Sequence, residues 1–320
     1  MPNKIFKDFL ILLATISTVL SFNILPAVAS EKITVLLDWF INPDHAPLII
    51  AKEKGFFIAA GLDVKLIAPS DPSMPPKLVA AGKADLAVSY QPQLHVQVDQ
   101  GLPLIRIATL VSTPLNSLVV LKDGPIKSIK DLKNKKIGFS VGGFEDALLS
   151  VMLNKYGLSL KDVTLINVNF SLSPSIVSGK VDAVIGAFRN FELNQMDIVK
   201  KPGRAFYPEE EGVPPYDELI LVAHKNNLAD KRLRKFVDAI EYAVQYLINH
   251  PKESWNIFIN AHKNLNDELN TRAWRDTLPR FALRPAAFDR KRYQRFAEFL
   301  KSQDLIKKVL PIQNYAVQLP

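Results

Sequence analysis

The chain has 320 residues, a formal net charge of +8 and no cysteine. This length predicts more than one compact unit. The absence of cysteine excludes disulfides, thiolate nucleophiles, iron–sulfur clusters, cysteine-ligated zinc and lipidation of an N-terminal cysteine. Many of the basic residues lie in runs within predicted helices, where a solvated helix face explains them more simply than nucleic-acid binding. We therefore predict no nucleic-acid partner.

The first 29 residues have the pattern of a secretory signal peptide. Lys4 and Lys7 precede an apolar segment over residues 9–25, and a small-residue cleavage site ends at Ala29. The alternative is an uncleaved membrane anchor, but the apolar segment is interrupted by polar residues. We expect cleavage near Ala29 and export to the periplasm as a protein that is not a lipoprotein.

Polar and aromatic residues follow the first predicted strand, which covers residues 33–37. In open α/β sheets, ligands bind beyond the carboxyl ends of the strands. A carboxylate, an indole, an amide and an imidazole at such a place could hold a small ligand, and they could also form a catalytic site. The residues concerned are Asp38, Trp39, Asn42 and His45.

A sequence motif occurs twice and predicts two similar halves. Gly82-Lys-Ala-Asp85 recurs as Gly179-Lys-Val-Asp182, and each copy stands between a predicted helix and a short apolar strand. Two strand-like segments, over residues 116–121 and 217–222, are predicted to cross between the halves. We expect an α/β fold of the periplasmic binding protein plan: two lobes, each with a mixed central sheet, joined by a two-strand hinge.

The predicted boundaries follow from these crossings. The first lobe comprises residues 30–118 plus 219–320, and the second lobe comprises residues 119–218. A cleft between two such lobes can close around a ligand by hinge motion.

Further candidate ligand contacts lie at strand ends that should face this cleft. Each has a structural alternative, such as a helix start or a turn, and the glycine-containing loop lacks the spacing of a phosphate-binding fingerprint. We predict no catalytic residue, metal or cofactor. The candidates are Tyr90, Gln91 and Gln93 after the first copy of the motif, Asn116 before the first crossing strand, Gly142, Gly143 and Phe144 in the glycine loop, and Phe188, Asn190 and Glu192 after the second copy.

Several separated motifs together resemble the thiamin-pyrimidine branch of periplasmic substrate-binding proteins. The resemblance covers nearly all of residues 31–320, and its superfamily includes sulfonate-binding proteins and the fungal thiamin pyrimidine synthase. It implies a type II binding-protein fold. The motifs are L-D-W with a histidine seven residues after the aspartate (Asp38, His45), G-F-F-x-x-x-G-L-D-V over residues 55–64, Y-Q-P-Q over residues 90–93, and P-L-N over residues 114–116.

The resemblance also implies a ligand and partners. The ligand would be a 4-amino-2-methylpyrimidine carrying a hydroxymethyl or formylaminomethyl group at position 5. A monomeric receptor would deliver it to an ABC permease and its ATPase. The fungal synthase has a pyridoxal-phosphate lysine and a histidine where this chain has Ser89 and Gln93, and it also has a cysteine cluster. We therefore predict a receptor without enzymatic activity. The alternatives are a receptor for a sulfonate, riboflavin or another heteroaromatic compound, and a synthase-like enzyme.

Overall fold

The computed structural model describes residues 30–319, so the predicted signal peptide lies outside the described residues. Within this range, ten strands form two five-stranded sheets. The first sheet has the order β2-β1-β3-β10-β4 and the second has the order β7-β6-β8-β5-β9. The strands are β1 (Glu31–Leu36), β2 (Leu62–Ile67), β3 (Leu86–Ser89), β4 (Leu104–Val111), β5 (Asn116–Leu121), β6 (Lys136–Phe139), β7 (Thr164–Asn167), β8 (Ala183–Phe188), β9 (Gly203–Phe206) and β10 (Leu219–His224).

The two sheets have the same plan, which defines the two lobes. In each sheet three parallel strands are followed by one antiparallel strand, β10 in the first lobe and β5 in the second. The chain leaves the first sheet after β4 and returns to it at β10. The predicted fold class is thus confirmed, with a type II strand order. The residue boundaries of the lobes stay a prediction.

Eleven α-helices lie among the described residues, and the longer ones carry an apolar face. They are α1 (Ala46–Glu53), α2 (Phe56–Ala59), α3 (Pro75–Ala80), α4 (Gln91–Asp99), α5 (Glu145–Asn154), α6 (Leu172–Val177), α7 (Glu192–Ile198), α8 (Lys231–Asn249), α9 (Pro251–Ala261), α10 (Glu268–Thr277) and α11 (Arg290–Ser302).

Helix α8 illustrates how the helices cover the first sheet. It buries Phe236, Ile240 and Leu247 at helical spacing, whereas Lys231 and Lys235 on its other face are exposed. Each buried apolar side chain of this size contributes about 1.5–3 kcal/mol. Over residues 30–319, no helix combines the length and the apolar character that crossing a membrane requires.

The repeated motif has the same structural role in both lobes. Asp85 Oδ2 accepts a hydrogen bond from the backbone N–H of Thr34 in β1, and Asp182 Oδ2 accepts one from the N–H of Lys136 in β6, both at 2.8 Å. The carboxylate therefore fixes the start of the third strand beside the first. Because the aspartate fixes how the third strand is aligned with the first, the carboxyl ends of both strands lie side by side at the cleft.

Candidate functional site

A pocket lies between the lobes, at the carboxyl ends of β1, β3, β6, β7 and β8. Both lobes supply its walls, which combine carboxylates with aromatic rings. Six lining residues were predicted from the sequence and five were not. The predicted ones are Asp38, Trp39, Asn42, Tyr90, Phe188 and Glu192; the others are Asp44, Glu145, Leu172, Gly186 and Phe191.

Asp38 is held in place by two buried donors. Its Oδ1 lies 2.9 Å from His45 Nε2, and its Oδ2 accepts a hydrogen bond of 2.9 Å from the hydroxyl of Tyr90. His45 Nδ1 accepts the backbone N–H of Asn42 at 3.3 Å, so Nε2 carries the proton that is donated to Asp38. Burial and the nearby carboxylate raise the pKa of Tyr90 well above its usual value, so its hydroxyl remains a donor. His45 therefore orients Asp38 from behind the pocket.

Asp44 enters the pocket because Asn42 caps the short 3₁₀ helix that contains it. Asn42 Oδ1 accepts the Asp44 N–H at 2.8 Å. Asp44 Oδ1 in turn accepts hydrogen bonds from Asn190 Nδ2 of the second lobe at 2.6 Å and from the Thr277 hydroxyl at 3.0 Å. Asp44 Oδ2 is buried without a partner among the described residues. Asn190 thus links the lobes, and Asp44 keeps one oxygen for a ligand.

The second lobe contributes two glutamates, each at the first residue of a helix. Glu145 begins α5 and accepts the Ser140 N–H at 2.8 Å through Oε2. Glu192 begins α7 and accepts the Phe188 N–H at 2.7 Å, also through Oε2. Carboxylates are favoured at helix N-termini by the macrodipole. Both carboxyl groups line the pocket while they are held by backbone hydrogen bonds.

The pocket is strongly acidic. Burial raises the pKa of Glu145 and of Glu192 to about 8, and that of Asp44 to about 6, although backbone or side-chain hydrogen bonds partly oppose the effect. None of the residues that line the pocket is Lys, Arg or His. Such a site disfavours an anionic ligand and favours one that carries N–H donors or positive charge.

Aromatic rings form the flat walls of the pocket. Tyr90 stacks on Phe144, with ring centroids 4.9 Å apart and planes at 25°, and meets the ring of Phe188 edge-on at 6.3 Å. Trp39 meets Phe170 of the second lobe edge-on at 4.7 Å. Protein rings therefore cover part of the surface of both predicted stacking residues. Phe188 and Phe191 add aromatic surface to the lining.

The other polar candidates make hydrogen bonds within the protein. Gln91 Oε1 accepts the backbone N–H of Asp217 at 2.8 Å, and Gln93 Oε1 accepts from Ser89 Oγ at 2.8 Å. Asn116 Oδ1 accepts the N–H of Gly186 at 3.1 Å. These side chains are buried and support the pocket from outside its lining, so their contact with a ligand stays a prediction. His45, Asn190 and Phe144 are also buried outside the lining, and Gly142 and Gly143 are exposed outside it, so contact of these five residues with a ligand stays a prediction as well.

Sequence reasoning missed two of the four lining carboxylates. Asp44 lies between Pro43 and His45 in a segment already recognised as important, and Glu145 ends the predicted glycine loop. A first-turn acidic residue is common at any helix start, so Glu145 did not stand out. The position of β6 could have indicated Glu145, because β6 occupies the same place in the second sheet as β1 in the first. Glu145 therefore follows β6 as Asp38 follows β1.

Comparison with known proteins agrees with this geometry. Residues 42–254 match the model of the family described as NMT1/THI5 like. The chain belongs to the NMT1/THI5-like family. A Haemophilus influenzae protein named for thiamine biosynthesis is 57% identical over 92% of this chain and 94% of its own. The formylaminopyrimidine-binding protein of Halalkalibacterium halodurans is 32% identical, covering 75% of this chain and 74% of its own length.

The NMT1/THI5-like relatives also include enzymes. A 4-amino-5-hydroxymethyl-2-methylpyrimidine phosphate synthase of Saccharomyces cerevisiae is 27% identical over 76% of this chain and 74% of its own. Solved structures agree on the fold. A Candida albicans protein with the generic periplasmic binding protein fold superposes with a TM-score of 0.71 at 16% identity, covering 91% of this chain and 96% of its own. The alkanesulfonate-binding protein SsuA of Xanthomonas axonopodis superposes with a TM-score of 0.70 at 14% identity, covering 90% of this chain and 99% of its own.

Proposed function

We propose that this chain is a non-enzymatic periplasmic receptor of an ABC importer, and that it captures a thiamin-precursor 4-amino-2-methylpyrimidine in its hydroxymethyl or formylaminomethyl form. The observation that carries the proposal is the buried pocket between the lobes, in which four carboxyl groups face a space with aromatic walls. The relationship to a formylaminopyrimidine-binding protein supports the ligand class.

The hydrogen-bonding groups of an aminopyrimidine complement this pocket. Its exocyclic amino group donates, and its ring nitrogens accept or take up a proton. Asp38 offers acceptors, whereas Glu145 and Glu192, whose pKa burial raises to about 8, can donate a proton to a ring nitrogen near neutral pH. A flat ring against aromatic side chains gains about 0.5–1.5 kcal/mol per aromatic pair beyond area burial.

The alternative ligands fit less well. A sulfonate would place its negative charge beside Asp44, which has a pKa of about 6 and is largely ionised at neutral pH, with no lining cation to balance it. Riboflavin has a three-ring system with a polar chain, whereas the carboxyl groups and aromatic side chains that line this pocket match the donors and the single flat ring of an aminopyrimidine.

The synthase alternative lacks its nucleophile. The serine at the position of the synthase lysine, Ser89, donates to Gln93, and both side chains are buried. A hydroxyl cannot form the Schiff base that an amine forms with pyridoxal phosphate. The serine at this position therefore favours a receptor over a synthase for this chain, although the relatives include a synthase.

Calorimetric titration of the chain without residues 1–29 tests the proposal. The ligands are the hydroxymethyl and formylaminomethyl pyrimidines, with taurine, riboflavin and pyridoxal phosphate as competing candidates. We expect saturable 1:1 binding of at least one pyrimidine and none of taurine. Binding of taurine alone would reject the pyrimidine, and turnover of pyridoxal phosphate would reject the receptor.

A residue-level prediction concerns the indole wall. Trp39→Ala should weaken pyrimidine binding about tenfold, or about 1.4 kcal/mol, because one aromatic partner is lost. Trp255→Ala is the matched control, since Trp255 is also half-buried but packs against Phe258 and Trp274 and does not line the pocket. Calorimetry on both variants gives the comparison. Equal loss in the two variants would show that the effect is general destabilisation.

A further inference from the structure

Three aromatic side chains meet where the two lobes approach each other beside the pocket. Trp39 and Phe40 follow β1 of the first lobe, and Phe170 lies in the second lobe between β7 and α6. The Phe170 centroid is 4.7 Å from that of Trp39 and 4.4 Å from that of Phe40, and the Trp39 and Phe40 centroids are 5.8 Å apart. We call these three residues the aromatic gate.

The gate joins a residue of the pocket lining to residues outside it. Trp39 lines the pocket, whereas Phe170 and Phe40 do not. Phe40 is 50% exposed, so the far side of the gate faces water. Leu172, two residues after Phe170, lines the pocket. Phe170 therefore stands at the rim, with a pocket wall on one side and solvent on the other.

The loop that carries Phe170 is fixed by hydrogen bonds. The N–H of Val168 donates to the carbonyl of Phe139 at 2.9 Å, and the N–H of Ser171 donates to that of Val168 at 2.9 Å. The N–H of Asn169 donates to Asn167 Oδ1 at 2.8 Å, and the hydroxyl of Ser140 donates to the carbonyl of Asn169. Asn169 has a φ of +50°, a conformation that asparagine tolerates better than most residues. The backbone position of Phe170 is thus fixed by its loop, and its ring packs on Trp39 and Phe40.

We propose that Phe170 is a specificity-determining residue, which restricts the site to single-ring aminopyrimidines and rejects the same pyrimidine when its position 5 carries a second ring. This inference rests on the proposed function. Thiamin is the informative compound, because it joins the aminopyrimidine to a cationic thiazolium ring.

Charge cannot provide this discrimination. The lining contains no cation that would repel the thiazolium ring, and the carboxylate of Asp44 would attract it, so electrostatics alone favours thiamin over the neutral pyrimidine. Rejection therefore requires a steric barrier, and specificity by steric conflict with the wrong ligand is common in binding sites. The ring of Phe170, packed on Trp39 at the rim, is placed to supply that barrier.

The test measures the dissociation constants of 4-amino-5-hydroxymethyl-2-methylpyrimidine and of thiamin by calorimetry, for the wild type, Phe170→Leu and Phe170→Ala. We expect the wild type to prefer the single-ring compound by at least about tenfold, which is about 1.4 kcal/mol. Phe170→Ala should reduce that ratio at least about fivefold by admitting thiamin, with Phe170→Leu in between. Phe299→Ala, another half-buried phenylalanine remote from the pocket, should keep the wild-type ratio.

The outcomes separate this inference from the proposed function. If the wild type binds the pyrimidine but Phe170→Ala keeps the wild-type ratio, the role of Phe170 is rejected and the receptor proposal stands. Equal binding of both compounds by the wild type also rejects it. If the wild type binds neither these two compounds nor the formylaminomethyl pyrimidine, the proposed function fails and this inference fails with it; if it binds only the formylaminomethyl pyrimidine, that compound replaces the hydroxymethyl form in the same comparison. Melting curves of each variant, with and without ligand, confirm that the compared proteins are folded.

Discussion

The ligand-free protein should lose stability as the pH rises from about 5 to about 9. Burial raises the pKa of Glu145 and Glu192 to about 8, of Glu218 to about 7 and of Asp44 to about 6. In the unfolded chain these groups ionise near their ordinary values of 4.5 for glutamate and 3.8 for aspartate. The unfolded state therefore releases these protons at lower pH than the folded state does.

The sign follows from linkage. A group whose pKa is raised by folding contributes stability that is fully present below its unfolded pKa and is lost as the pH rises through its folded pKa. One pKa unit corresponds to about 1.4 kcal/mol. Ionisation of the four groups should together lower the free energy of unfolding by several kcal/mol. This is a large part of the roughly 5–15 kcal/mol by which a typical domain is stable. We expect the melting temperature to fall on the order of 10 °C between pH 5 and pH 9.

Melting curves at constant ionic strength measure this effect. Glu145→Gln replaces the carboxyl with an amide that cannot ionise, so its curve should be flatter than that of the wild type above pH 7. Glu298→Gln alters an exposed glutamate of α11 and should leave the slope unchanged. If the wild type were equally stable at pH 5 and pH 9, the cleft carboxyl groups would not be taking up protons on folding.

Glu218, one of the four groups with a raised pKa, also holds a segment that connects the two lobes. Its Oε2 accepts the backbone N–H groups of Leu115 and Asn116 at 2.6 and 2.9 Å, so a carboxyl at the start of β10 holds the segment that enters β5. Arg189 binds the same segment, because its guanidinium donates to the Asn116 carbonyl at 3.1 Å. The segment that enters β5 and the segment that enters β10 are therefore joined to each other by the hydrogen bonds of Glu218.

Gly186→Ala should abolish tight pyrimidine binding. A Cβ at this position would lie 2.4–2.7 Å from the carboxyl group of Glu145, so the carboxyl would have to leave its place in the pocket. Gly186 also has a φ of +95°, where a side chain costs about 1–2 kcal/mol. We expect at least a tenfold loss of affinity, about 1.4 kcal/mol, in addition to lower thermal stability.

The control separates the two causes. Gly101 has a φ of +94°, but a Cβ there would meet nothing within 4 Å, and this residue lies after α4, away from the pocket. Gly101→Ala should therefore lower the melting temperature by a similar backbone cost and leave affinity unchanged. Calorimetry measures the dissociation constant of both variants, and melting curves measure their thermal stability. An unchanged dissociation constant in Gly186→Ala would show that Glu145 does not contribute to binding.

The sequence by itself determined the local part of this protein. The repeat of Gly-Lys-x-Asp predicted two similar lobes, because each aspartate fastens one strand to its neighbour within the same lobe. Strand ends followed by Asp38, Trp39 and Tyr90 predicted one wall of the site, because in this class of fold the chain itself carries such residues to the cleft. Glu192 was predicted on the opposite wall by the same reasoning.

Only the tertiary structure decided which side chains line the pocket and which support it. Asp44 and Asn190 are 146 residues apart in the chain, and their hydrogen bond depends on how the lobes meet. The same holds for the contact of Phe170 with Trp39. A strand end places a side chain at the cleft, but whether it faces ligand, neighbour or solvent depends on groups distant in sequence. Long-range contacts turned Gln91 toward Asp217 and Asn190 toward Asp44, whereas Gln93 bonds Ser89 within its own segment.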